Sequence, residues 1–214
     1  MPISAFLANL YLKDLDRLFE KRGLPYARYS DDIIVFAESK DQLEDARQTI
    51  LSYLSEKHLT VNPRKEAFSA PGDVWTFLGF SYENGTVDVS QDAIQKLKKK
   101  MKRKSEALIR WKHKKNADSV RAVKAFIRYF NKKFFDNPID SEITWCRWFF
   151  PVITTDASLK IIDAYMQECI RYIATEKRTK ARYNFRYEDM KACGYKSLVH
   201  CYYQFREENP LYFA

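Results

Sequence analysis

Residues 26–37, YARYSDDIIVFA, set the terms on which the rest of the chain is read. Apolar and aromatic residues flank a Ser-Asp-Asp centre, a pattern that predicts a strand, a tight turn and a return strand, with Asp31 and Asp32 at the bend. Asp is an ordinary turn residue because its side chain hydrogen-bonds the local backbone, so the pair taken alone is explained by turn chemistry. The flank Ile33-Ile34-Val35-Phe36 shifts that balance, since a continuous apolar run is what a strand buried on both faces carries. Two acids at the end of a buried strand have a desolvation cost, and a hard divalent cation would offset it.

The composition surrounding this hairpin bounds the rest. With 214 residues, 46% of them hydrophobic, the chain can bury one sizeable core or two modest ones. No apolar run approaches the roughly 20 residues of a membrane span, and Met1 is not followed by a basic and then apolar leader; a soluble, cytoplasmic protein is expected. Cysteines at 146, 169, 193 and 201 form no CxxC pair, which favours reduced thiols over a zinc site. Charge is divided unevenly along the chain. Residues 1–95 carry 10 Lys/Arg against 15 Asp/Glu, whereas residues 96–214 carry 27 against 13, so a polyanionic partner would be held mainly by the second half.

Ahead of the hairpin, residues 2–19 predict an amphipathic helix with Pro2 in its first turn and an apolar stripe at Phe6, Leu7, Leu10, Leu15 and Leu18. After it, Ser39 and Gln42 form a capping box for a helix to about Lys57, with Leu43, Ala46, Ile50 and Leu54 on its apolar face. Residues 59–65 predict a short strand entering a turn, and 65–69 another strand. Lys65, at that junction, reads from its surroundings alone as an exposed strand-end Lys. Residues 75–82, WTFLGFSY, read as one strand leading into an Asn84-Gly85 hairpin and a return strand at 86–89. Gly79 inside it marks either a bulge or a place where a nucleic-acid backbone comes close.

Ser90 caps a long helix from Gln91, with Ile94, Leu97, Met101 and Leu108 on one stripe. Between Lys96 and Lys115 stand eleven Lys/Arg, Lys98, Lys99, Lys102 and Arg103 among them, against one Glu, a density that points to phosphate-backbone binding. Helices are expected at 118–135, 140–150 and 156–175, separated by Asn137-Pro138 and Pro151, with most of their aromatic residues in a core. From Lys177 onward basic and aromatic residues interleave, which suits a nucleic-acid surface and equally a segment covering the helical bundle.

Taken together, these residues resemble the reverse transcriptases, in their group II intron and retron-like branch. Tyr29-Ser30-Asp31-Asp32 resembles the Tyr-x-Asp-Asp box, and Pro2, Ile3, Ser4, Leu7, Ala8, Asn9, Tyr11 and Leu12 match the motif that opens the palm helix, with Ala5 in place of the usual Pro. Asn62 and Lys65 match an Asn-x-x-Lys segment, residues 77–80 resemble the primer grip, and residues 194–199 resemble a closing segment. The resemblance implies an α+β fold, with a partial polymerase palm at 1–89 and an all-helical thumb at 90–214. It also implies Asp31 as metal ligand and Asp32 as a second one, Tyr29 and Ser30 near the primer terminus, Lys65 on the incoming triphosphate, and Leu78 and Gly79 in the primer grip. The cofactor would be Mg2+, with Mn2+ as an alternative. The partners would be an RNA template and primer duplex, dNTP, and an intron or retroelement RNA.

In that family the other catalytic Asp and the fingers lie upstream of the opening motif. The expectation is therefore a C-terminal portion of a polymerase, inactive on its own. A non-catalytic, maturase-like RNA-binding module and an interaction subunit are the competing classes.

Overall fold

The computed structural model describes residues 2–135 and 143–212 and divides into two compact units, Met1–Pro71 and Gly72–Ala214. Small antiparallel sheets combine with many helices, an α+β protein as expected. No helix among the described residues is long and apolar enough to cross a membrane.

The first unit comprises α1 (Pro2–Arg22), the ribbon β1 (Tyr26–Tyr29) and β2 (Asp32–Val35), α2 (Lys40–Glu56), and a single 3-10 turn at Pro63–Lys65. Its core is small: Leu15 and Phe19 of α1 and Ala46 of α2, with Tyr26, Ile33 and Val35 of the ribbon packed against them. The Phe19 and Tyr26 rings stack at 4.7 Å. The expected α1 stripe is displaced. Leu12, Leu15 and Phe19, at helical spacing, are buried, while Phe6, Leu7 and Leu10 remain 65%, 54% and 50% exposed. The capping box forms with one shift, since Ser39 Oγ accepts Gln42 N at 3.2 Å but Gln42 Oε1 accepts Glu38 N at 3.1 Å.

Two strand expectations fail in this unit. Residues 59–69 form no strand: Pro63 fixes φ and lacks an amide proton, and the Asn62 carbonyl instead accepts Lys65 N at 2.9 Å to close the 3-10 turn. Nor is β2 buried on both faces. Ile33, Ile34 and Val35 are half-buried and Phe36 is 45% exposed, because only one face of the ribbon meets the helical core.

The second unit begins with a three-stranded meander of β3 (Trp75–Phe77), β4 (Phe80–Glu83) and β5 (Thr86–Val89). The expected strand at 75–82 is two strands, paired Phe77 to Phe80 about a Leu78-Gly79 turn in which both residues have positive φ, 51° and 88°. That is a two-residue hairpin turn of the primed kind, unusual in placing Leu there. Among the described residues the helices α3 (Gln91–Lys115), α4 (Ser119–Phe134), α5 (Trp145–Phe149), α6 (Ala157–Thr175), the short α7 (Tyr187–Ala192) and α8 (Leu198–Glu208) follow. The start of the helix expected at 140–150, and Asn137-Pro138, lie outside the described residues; Thr144 caps α5, its Oγ1 accepting Arg147 N at 3.4 Å.

α6 is central and packs on α3, α4 and α8. The meander is fastened to this bundle: Phe80 meets Phe149 at 4.9 Å, Thr154 N donates to Val87 O at 2.8 Å, and Ser158 Oγ donates to Val89 O at 3.2 Å. The boundary between the two compact units falls at Pro71 and Gly72.

Candidate active site and nucleic-acid interface

The expected hairpin forms, with its bend one residue earlier than read from the sequence, so that Asp32 lies in the return strand. Tyr26 pairs with Val35 and Tyr29 with Asp32, leaving Ser30 and Asp31 as the two turn residues. Ser30 takes φ 57°, the positive value a primed turn needs at its first central position. Asp31 sits at the turn and Asp32 opens β2; both are exposed. Among the described residues neither carboxylate takes part in a hydrogen bond or an ion pair, so neither is consumed in capping its own loop. Tyr29, 56% exposed, lies opposite Asp32.

What holds the turn is Arg28, a residue the sequence reading missed. Its side chain is 5% exposed and donates from Nε to Asp16 Oδ1 at 2.8 Å and from Nη2 to Asp16 Oδ2 at 2.6 Å. Nη1 donates to the Ser30 carbonyl at 2.9 Å and to Asn9 Oδ1 at 3.1 Å, which ties the bend to α1. The Tyr26 hydroxyl adds a 2.8 Å bond to Asp16. Arg28 thus holds the Asp16 carboxyl below its usual value, and burial with the Asp16 bond pushes the Tyr26 phenol up. A detectable signal existed: Arg28 shares the inward face of β1 with Tyr26, and a cation there requires an acid opposite.

Lys65 is exposed on the 3-10 turn. In the second unit, the carbonyls of the Leu78-Gly79 turn already have protein donors, Trp148 Nε1 on Leu78 O at 3.3 Å and Ser90 N on Gly79 O at 2.8 Å. A Cβ at Gly79 would meet Phe149 Cζ at 3.3 Å, so its missing side chain makes room for that ring.

The cations of α3 divide into two sets. Lys98 reaches over the Tyr165 ring at 5.3 Å, Lys104 over Tyr129 at 4.6 Å, and buried Lys112 pairs with Glu176. Lys96, Lys99, Lys100, Lys102 and Arg103 remain exposed along a shallow groove of about 500 Å³. The aromatic and basic residues of the last forty positions largely serve one another. Arg182 lies over Tyr183 at 4.5 Å, with Arg171 of α6 at 5.0 Å from the same ring, and Lys191 lies over Tyr187 at 5.1 Å, while Tyr195 and Tyr202 are buried. The four cysteines are free, and no group of three or more His, Cys, Asp or Glu suited to a metal ion occurs among the described residues.

The hairpin lies within the part of the chain that the sequence comparisons match. Residues 1–82 match the family described as reverse transcriptase (RNA-dependent DNA polymerase). The chain is also 28% identical over 104 residues to the Retron Ec86 reverse transcriptase of Escherichia coli, covering 47% of this chain and 32% of that protein. It spans about a third of the length of this relative.

Proposed function

We propose that this chain supplies the hairpin acids and part of the nucleic-acid-holding surface for Mg2+-dependent, template-directed DNA synthesis on an RNA template. The observation that carries the reading is the pair Asp31 and Asp32, exposed and without a hydrogen-bond or ion-pair partner among the described residues, at a turn whose neighbouring Arg28 is engaged by Asp16, Asn9 and the Ser30 carbonyl. A plain turn would use those carboxylates locally, and a nearby free cation would neutralise them.

Two carboxylates fit the way Mg2+ is held in such sites, with one or two acids and with substrate phosphates and water filling the remaining positions. When bound, the ion supplies Lewis-acid charge to the attacking and leaving oxygens of phosphoryl transfer. Asp31 and Asp32 provide oxygen donors from a hairpin fixed at its bend, and that rigidity orients the reacting groups. Tyr29 contacts the primer terminus, Lys65 contacts the triphosphate, and the exposed row on α3 holds duplex phosphates without reading sequence. In the family the chain resembles, a further acid from upstream of the opening motif completes the metal site, and on that ground the chain alone is expected not to polymerise. A non-catalytic RNA-binding module is the second reading, favoured by an α3 row that needs no acids to grip phosphate.

Electron paramagnetic resonance of Mn2+ titrated into the full chain with primer, template and dNTP separates these readings. Asp31→Asn should weaken retention of the ion about tenfold while nucleic-acid affinity is unchanged. Equal retention by wild type and variant would sink the catalytic reading. Primer extension by residues 1–214, abolished by Asp31→Asn, would overturn the claim that the chain alone is inactive.

A further inference from the structure

A second cationic face lies on α4. This helix buries Ala122, Val123, Phe126, Ile127, Phe130 and Phe134, and on its other side exposes Arg121, Lys124, Arg128 and Lys132. A solvated helix face ordinarily interleaves both signs, yet Ser119–Phe134 contains no Asp or Glu. The acids that act electrostatically on this region, Asp118 and Asp189, already have backbone partners. Asp118 accepts Val120 N at 3.1 Å and Asp189 accepts Arg186 N at 2.7 Å. No carboxylate within Ser119–Phe134 offsets the charge of the face, and the flanking Asp118 and Asp189 set two negative charges against its four exposed cations.

Shape adds a second argument. Lys124, Arg128 and Lys132, with Ile127 and the Cys193-Gly194 turn after α7, line an open groove of about 540 Å³. Its two walls are tied together, since Asn131 Nδ2 donates to the Gly194 carbonyl at 2.8 Å. Cations at i, i+4 and i+8 on a helix advance by about 6 Å per step, comparable with the separation of successive phosphates on one strand. Phosphates running along the helix axis could thus each meet one cation.

We propose that this groove is a second phosphodiester track, in which Lys124, Arg128 and Lys132 hold one strand of a polynucleotide independently of the α3 row. The inference rests on the reading that the partner is nucleic acid, and makes no use of the hairpin acids. It assigns α4 a binding role beside its packing role, and it predicts that two separate sets of cations contribute to salt-dependent affinity.

The test uses the full chain and a short fluorescein-labelled RNA–DNA hybrid, with anisotropy followed over a salt series. Two triple variants are compared, K124A/R128A/K132A on α4 and K99A/K100A/R103A on α3. Each phosphate contact adds about 0.9 to the slope of log K against log salt, so each triple should flatten that slope by about 2–3 and weaken binding at least tenfold near physiological salt, the two effects adding in the combined variant. Circular dichroism checks that the variants are folded. Independently of any variant, acetylation of wild-type lysines read by mass spectrometry should show Lys124 and Lys132 protected by the hybrid. An unchanged slope in the folded α4 triple, or equal acetylation of both lysines with and without hybrid, overturns the proposal. Loss of binding in the α3 triple alone would discard the α4 track and leave the nucleic-acid reading standing; no salt-dependent binding by wild type would discard both.

Discussion

The guanidinium of Arg28 closes on the carboxylate of Asp16 through two hydrogen bonds, at 2.8 and 2.6 Å, while its remaining nitrogen holds the carbonyl of Ser30 at 2.9 Å. One side chain therefore joins a helix, a strand and the bend that presents Asp31 and Asp32. Its charge is taken up by Asp16 and not by Asp31 or Asp32.

Arg28→Ala should destabilise the first unit by about 1–3 kcal/mol, less than the cost of breaking a fully buried pair, because the Asp16 side chain keeps 39% exposure. Urea unfolding followed by far-UV circular dichroism measures it. Arg28→Lys should recover little of the loss, since an ammonium cannot make both parallel bonds and also reach Ser30. Full recovery with Lys would show that charge alone suffices.

Acid should weaken both units. Donation from Arg28 lowers the Asp16 carboxyl, the Lys112 ammonium lowers Glu176, and the Lys160 ammonium lowers Asp156. A carboxyl whose folded value is depressed contributes stability that is present above its unfolded value, near 4, and is lost as pH falls through the folded value. Unfolding midpoints measured from pH 6 downward should hold steady and then drop below about pH 4. Asp16→Asn should be less stable at neutral pH but show a shallower drop. A parallel curve for the variant would contradict the role given to Asp16.

Gly79→Ala and Gly85→Ala offer a matched pair. Both glycines have positive φ, 88° and 82°, so both substitutions incur backbone strain. At Gly85 the added methyl meets nothing within 4 Å, whereas at Gly79 it meets the Phe149 ring at 3.3 Å. Thermal melts should place the Gly79 variant lower by an extra ~1 kcal/mol. Equal losses would mean that Phe149 moves aside without cost.

Asp163 is a buried carboxylate that accepts four bonds, from Tyr195 Oη at 2.9 Å, Ser197 Oγ at 2.7 Å, Leu198 N at 3.0 Å and Val199 N at 3.2 Å. It joins α6 to the start of α8, where backbone amides would otherwise lack partners. Asp163→Asn puts an amide donor against these donors and should cost about 2–4 kcal/mol. Limited proteolysis should then cut first within residues 196–209. An unchanged cleavage pattern would show that α8 docks through Leu198 and Tyr202 alone.

Local patterns were legible in the chain because they are carried by neighbours in sequence. The Ser30 turn, the Ser39 and Ser90 caps, the Asn84-Gly85 hairpin and the apolar stripe of α3 depend on side chains within a few residues of one another. The strand formers across residues 75–82 predict one strand, and the turn at Leu78-Gly79 comes with the docking of Trp148 and Phe149. Likewise, nothing in a run of lysines distinguishes Lys98, directed to Tyr165 from another helix, from exposed Lys99.

By itself the sequence determined an α+β chain with two acids at a hairpin bend and a cationic second half, since turn chemistry, periodicity and charge are written residue by residue. Tertiary structure alone decided which charges are spent internally and which face solvent. Arg28 finds its acid on α1, Lys112 finds Glu176 beyond α6, and the α4 cations find none on their own helix. The physical reason is that an ionic partner is fixed by distance in space, and packing brings together residues whose separation along the chain carries no local signal.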